Sequence, residues 1–157
     1  MLFSTKAEYG VRLMVELGRQ PGSQPVSLGS VAEAENLPLS YLEHLVAKLR
    51  KAGLVTSTRG AHGGYRLAKP AAEIRMDAVV EALEGQIAPM ECFHDTPEGK
   101  VLCSHESDGD SACSTKLLWM RVQGGVSKAL AGTTLAELVE FSTKSEPTRA
   151  AVLGSAA

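Results

Sequence analysis

The run from Pro38 to Pro70, PLSYLEHLVAKLRKAGLVTSTRGAHGGYRLAKP, leaves this chain few folds to choose from. Leu42, Leu45, Val46 and Leu49 recur at three- and four-residue steps, which gives a helix one apolar stripe to bury. Ser40 is placed to cap that helix, and Gly53 to stop it. Leu54 to Thr58 and Tyr65 to Leu67 then read as short strands. Between them lies Arg59-Gly60-Ala61-His62-Gly63-Gly64, with the glycines a tight turn needs. A helix followed at once by a glycine-tipped hairpin carrying a basic residue predicts a winged helix-turn-helix, a fold that reads DNA. The alternative is a packing helix beside a plain exposed hairpin.

On the face opposite the apolar stripe stand Ser40, Tyr41, Glu43, His44, Lys48 and Lys51. Ser, Tyr and Lys side chains can reach phosphates, but a Glu among phosphate charges is unfavourable unless it accepts a hydrogen bond from a cytosine amine. Glu43 is therefore either a base-reading residue or simply solvated. Arg59, at the hairpin tip, is the candidate for a minor groove, where narrowing over A·T pairs deepens the negative potential. His44 on the helix and His62 in the hairpin are DNA-side or merely exposed. The formal net charge of -2 does not suggest nucleic acid, but the chain is unevenly charged. Residues 1–75 hold ten Lys and Arg against six Asp and Glu, a balance of +4, while 76–157 hold six against twelve, or -6. The basic half contains the candidate reader, as phosphate binding requires.

Upstream, Thr5-Lys6-Ala7-Glu8 fits a capping box opening a helix that carries Val11, Leu13, Met14, Val15 and Leu17 and ends near Gly18. Ser27 can cap a second helix through about Glu35, and Asn36-Leu37-Pro38 makes the turn into the reading helix. Residues 1–75 are thus expected to form the winged module. Ile74, Met76, Val79, Val80 and Leu83 suggest a short connecting helix ending at Gly85. Periodicity then disappears from Gln86 to Ala112, a stretch longer than a structureless loop in a compact domain ought to be. The unit 76–113 is read as this helix plus a loop bearing all three cysteines, Cys92, Cys103 and Cys113, with His94 and His105. From Ser114 the apolar face of Leu117, Leu118, Met120, Val122, Val126, Ala129 and Leu130 predicts a long helix that one small chain cannot cover, hence a homodimeric helix pair. Gly124-Gly125 in its middle is a weak point or a close-approach site. Thr133 is expected to cap a last helix from Leu135 to Phe141, so that 114–141 forms the dimerisation unit and 142–157 a frayed tail.

At 157 residues the chain is expected to form one domain with a real core and an appended element. It has no apolar run long enough for a membrane and no signal peptide, so a cytoplasmic location is expected. Three cysteines in such a chain favour a metal or redox role over a disulfide framework. A zinc site from Cys103, His105 and Cys113 is disfavoured by the lack of any Cys-x-x-Cys or tight Cys/His pairing. An enzyme is disfavoured by the lack of a glycine-rich phosphate loop opening a helix, and of a nucleophile with an assigned base.

The reading stretch, with the opening STKAEYGVRLM and the closing TTLAELVE, resembles the Rrf-two family of bacterial transcription regulators, IscR-, NsrR- and RirA-like, over nearly the whole chain up to about Phe141. The resemblance implies a winged helix-turn-helix dimerised through a long helix, which binds a palindromic operator as a homodimer. It places Ser40, Tyr41 and Glu43 at the major groove and Arg59 in the minor groove. It also implies an iron-sulfur cluster in the loop before the long helix, with Cys92, Cys103 and Cys113 as ligands. The intervals between these cysteines, ten residues and then nine, are longer than the family pattern. IscR-like members carry a histidine three residues after the third cysteine, where this chain has Lys116. NsrR-like members use instead a carboxylate from the first helix of the other subunit, and Glu8 stands at that place. Three thiolates plus a carboxylate resembles the 4Fe-4S members, whereas His94 or His105 as the fourth ligand would suit a 2Fe-2S centre. Glu8 closing only its capping box is the competing reading. At the level of function, the alternative is a cluster-free regulator of the same fold that senses through thiol oxidation or a partner protein.

Overall fold

The computed structural model of the chain describes residues 3–20, 24–87 and 114–144. Helix α1 runs Thr5–Arg19 and buries Ala7, Leu13, Met14 and Leu17. Its start differs from the expected Thr5/Glu8 capping box. Ser4 is the N-cap, its hydroxyl accepting from the Lys6 N–H at 3.2 Å, and the carboxylate that completes the cap comes from Glu84, far along the chain. Glu84 Oε1 accepts from the Ser4 N–H at 2.9 Å, the Ser4 hydroxyl at 2.6 Å and the Ala7 N–H at 3.2 Å. One acceptor thus satisfies two of the amide donors that a helix start leaves unpaired. Glu8 is exposed and caps nothing.

Helix α2, Leu28–Glu35, opens on Ser27, whose hydroxyl accepts from the Ser30 N–H at 3.0 Å. It closes on Asn36 in the left-handed conformation, φ 50°, with the Leu37 N–H donating to the Ala32 carbonyl at 2.9 Å. That reversal turns the chain through Pro38 into helix α3, Leu39–Lys51. Ser40 is not its cap, contrary to expectation: Pro38 takes that position, no side chain caps the helix, and Ser40 lies inside the first turn. Proline needs no partner for an amide it lacks and holds the chain at φ -63°, so the entry is set by the backbone alone. The other end is as expected. Gly53, at φ 72°, stops the helix with a paired reversal, its N–H donating to Arg50 and that of Leu54 to Leu49, both at 3.0 Å.

Strands β1, Val55–Thr58, and β2, Gly64–Leu67, pair antiparallel with Val55 opposite Leu67 and Thr58 opposite Gly64. Val26, just before α2, adds a bridge on the other side of β2, exchanging both backbone hydrogen bonds with Tyr65 at 2.9 and 2.8 Å. After a 3-10 turn at Ala71–Glu73, helix α4, Met76–Glu84, buries Met76, Val79, Val80 and Leu83. Helix α5, Ser114–Gly132, continues through Gly124 and Gly125, and a Cβ at either would meet nothing within 4 Å. Among the described residues, therefore, neither glycine marks a close approach. Helix α6, Leu135–Thr143, is capped by Thr134 rather than by the expected Thr133, in a reciprocal box with Glu137. The Thr133 hydroxyl instead donates back to the Ala129 carbonyl at 2.9 Å. α6 packs on α1, and a bridge between Arg75 and Thr134 ties it to the start of α4. One core results, running from Leu13, Leu42, Leu45 and Leu49 through Ile74 and Leu83 to Leu135. The fold is the mainly helical winged architecture expected, with a two-stranded antiparallel wing.

Candidate nucleic-acid interface

Burying Leu42, Leu45, Val46 and Leu49 turns the opposite side of α3 outward, and Ser40, Glu43, His44 and Lys51 are exposed there. Tyr41 is half-buried. Its ring meets that of Tyr9 on α1 edge-on, with centroids 5.7 Å apart and planes at 84°, and its hydroxyl lies 3.4 Å from the Thr5 hydroxyl. Arg12 stacks over the same Tyr9 ring at 6.0 Å while its Nε pairs with Glu35 at 2.8 Å. The first turn of α3 is therefore braced against α1, and α1 against the end of α2. Lys48 is differently engaged from its neighbours: its ammonium donates to the Leu83 carbonyl at 2.8 Å, satisfying an orphan acceptor in the last turn of α4.

The wing stands next to the C-terminal end of α3. Arg50 Nη1 lies 3.5 Å from the Ser57 hydroxyl on β1, and Arg66 Nε donates to Thr56 at 3.3 Å across the hairpin. Arg59 and His62 are exposed in the connection between the strands, which is closed by the Gly63 N–H donating to the Gly60 carbonyl at 2.9 Å. A side chain at Gly64 would run into the Val26 carbonyl, so the hairpin packs against the α2 approach only with glycine there. The geometry gathers Ser40, Tyr41, Glu43, His44, Lys51 and Arg59 on one helix and its adjoining wing, and turns Lys48 toward α4. Arg50, Arg66 and Val26 had no local signal in the sequence. Arg50 and Arg66 are ordinary surface cations until the hairpin is formed, and Val26 is an isolated extended residue.

The candidate metal ligands divide differently. Glu8 is exposed on the first turn of α1, directly before the Tyr9 ring that braces Tyr41. Cys92, Cys103, Cys113, His94 and His105 lie outside the described residues, as does the expected tail from Ser145 onward. Among the described residues no group of three or more His, Cys, Asp or Glu could hold a metal ion. Nor, among those residues, is any helix long and apolar enough to cross a membrane.

At the α1 start, the electrostatics of Glu84 depart from the ordinary. Partial burial works to raise its pKa, but the hydrogen bonds from the Ser4 hydroxyl, the Ser4 N–H and the Ala7 N–H, with Lys6 nearby, outweigh it and hold the carboxyl below its usual value. Glu137 is likewise lowered, by the Thr134 N–H and hydroxyl.

A family model described as "Rrf2: Iron-dependent Transcriptional regulator" matches residues 3–141. The chain is 38% identical over 141 residues to the transcriptional regulator CymR of Bacillus subtilis, covering 90% of this chain and 91% of that one. To the regulator IscR of Vibrio atlanticus it is 35% identical, covering 89% and 76%. Among solved structures, that of B. subtilis CymR, titled the global cysteine regulator, superposes with a TM-score of 0.73 at 37% identity, covering 90% of this chain and 98% of the other. IscR of T. potens superposes with a TM-score of 0.72 at 34% identity, covering 93% of each. A match spanning both the reading helix and the long α5, at this identity, leaves one conclusion: the chain belongs to the Rrf2 family of transcriptional regulators.

Proposed function

We propose that this regulator binds a palindromic operator as a homodimer and that an iron-sulfur cluster held by the cysteine-bearing segment before α5 controls that binding. The observation that carries the DNA half is the exposed face of α3 continuous with the wing: polar and basic at both, and braced from behind by α1 and α4. Ser40 and Lys51 contact phosphates, Tyr41 holds the first turn in register through Tyr9, and His44 lines the same surface. Glu43 accepts from a cytosine amine, and Arg59 enters the minor groove. Lys48 acts from behind, by fixing α3 against the last turn of α4. The dimer forms through α5, whose Leu117, Leu118 and Met120 are 54–57% exposed in the single chain. It sets two reading helices on two half-sites.

Cys92, Cys103 and Cys113 would supply three thiolates, the donors that iron-sulfur clusters require, and Glu8 of the partner subunit would supply a fourth, oxygen ligand. The donor set fits. Glu84, not Glu8, completes the α1 cap, so the Glu8 carboxylate is left exposed and uncommitted by that role. When bound, such a cluster supplies a redox-active centre in which the carboxylate-held iron is the position most open to exchange. Glu8 precedes Tyr9, and Tyr9 packs on Tyr41, so the residue that would hold the cluster adjoins the ring that braces the first turn of α3. Anaerobically purified protein, assayed for iron and acid-labile sulfide and titrated onto operator DNA with and without its cluster, tests the proposal. Cluster content near one per chain and a changed Kd between the two forms are expected; equal Kd at matched salt overturns the control mechanism.

A second reading is supported by the CymR relatives, one titled the global cysteine regulator and another, from Staphylococcus aureus, solved in an oxidized form. In it the same fold senses through thiol oxidation or a partner protein. Protein that stays colourless under anaerobic handling and after reconstitution with iron and sulfide selects that reading.

A further inference from the structure

Four large apolar side chains are markedly exposed among the described residues, and three of them, Leu117, Leu118 and Met120, lie together on α5. The fourth is Leu39, 44% exposed at the first position of α3. It is separated from the α5 group in the chain and sits on a helix whose own apolar stripe is already fully buried. Leu39 stands one turn before Glu43, and the same exposed row continues through Ala47 to Arg50 beside the wing. Nothing in the helix start needs a leucine there, since Pro38 sets the entry and no side chain caps it.

We infer that Leu39 is a specificity-determining residue that packs on the C5-methyl group of a thymine beside the base pair read by Glu43. This rests on the proposed operator binding. In the major groove thymine alone among the bases offers an apolar methyl, so an exposed aliphatic side chain on a reading face has one complementary partner there. Four residues of helix rise about 6 Å, and base pairs stack at about 3.4 Å, which puts the thymine within two steps of the Glu43 contact. Leu39 rejects cytosine at that step by losing the methyl contact, whereas Glu43 rejects thymine at its own by losing the amine.

The test begins with duplexes selected by the intact protein from a random pool. Each thymine in the selected half-site is then replaced singly by deoxyuridine, which removes only the methyl, and Kd is measured for the wild type and for Leu39→Ala. One position is expected at which deoxyuridine weakens the wild type roughly 3- to 5-fold, as loss of one buried methyl predicts, while Leu39→Ala binds both duplexes equally. Leu39→Met, which keeps an apolar tip, should restore part of the discrimination. Equal methyl effects in wild type and Leu39→Ala at every position, or a selected half-site without thymine in reach, overturns the inference alone. A wild type that prefers no selected duplex over a scrambled one overturns the operator reading beneath it. Leu39 is exposed, so an unchanged melting temperature for Leu39→Ala separates lost readout from lost fold.

Discussion

Glu84 shows how much one carboxylate can hold. By accepting from the Ser4 N–H and hydroxyl and from the Ala7 N–H, it joins the end of α4 to the start of α1. Replacing it with alanine should destabilise the fold by about 1–2 kcal/mol, the scale of a lost helix cap, lowering Tm by roughly 3–8 °C. Because its folded pKa lies below its unfolded one, this stabilisation is complete at neutral pH and is lost as pH falls through the lowered value. A Tm series in acid should therefore show wild type and Glu84→Gln converging; a gap that widens toward low pH would contradict the assignment. The two lysines of α3 should also separate. Lys51→Met is expected to reduce the salt dependence of operator binding by about one unit of slope, whereas Lys48→Met, whose ammonium is spent on the Leu83 carbonyl, should leave the slope unchanged and lower Tm instead.

At the scale of elements, the wing depends on a neighbour outside it. β1 and β2 alone make a hairpin of two four-residue strands, too small to be rigid, and Val26 adds a third bridged backbone on the α2 side. Gly64→Ala should drive β2 off Val26, costing about 1–3 kcal/mol of stability and weakening operator affinity more than Arg59→Ala does. Thermal melts and fluorescence anisotropy on the two variants would check this; a Gly64→Ala protein with native Tm would show that the bridge is dispensable. The helices were legible as elements because their apolar spacing is regular, and the αL turn at Asn36 and the stop at Gly53 follow from local chemistry. Their caps were less so: Ser4 replaced the Thr5 box, Pro38 replaced Ser40, and Thr134 replaced Thr133. At α1 and α6 adjacent hydroxyl residues compete for the same role on nearly equal local terms, whereas at α3 the proline fixes the entry without a side-chain cap.

For the whole molecule, α5 leaves Leu117, Leu118 and Met120 more than half exposed among the described residues. The double substitution Leu117→Glu with Leu118→Glu should convert a dimer to a monomer in sedimentation and weaken operator binding at least tenfold, since half-sites are then bound singly. A double variant that stays dimeric would place the interface elsewhere. Removing the iron of the proposed cluster with a chelator should leave α1–α4 and the wing folded, with far-ultraviolet circular dichroism nearly unchanged, because their core contains no metal ligand among the described residues. α6 adds a feature that its position in the chain does not suggest. It packs on α1 and contributes Leu135 to the same core as the reading helix. α6 thus shares its foundation with α3.

The sequence by itself determined the main helices and strands, the order of helix, turn, helix and wing, and the apolar stripe that α3 buries, because each follows from spacing and turn chemistry within a few positions. It also carried the family through the reading stretch. Only the tertiary structure decided that Glu84 caps α1, that Lys48 faces α4, that Val26 supports the wing and that Leu39 is left uncovered. Those outcomes join residues up to 80 positions apart or depend on what fails to cover a side chain. Such facts exist only once the chain has closed on itself, since no local propensity encodes which distant partner arrives.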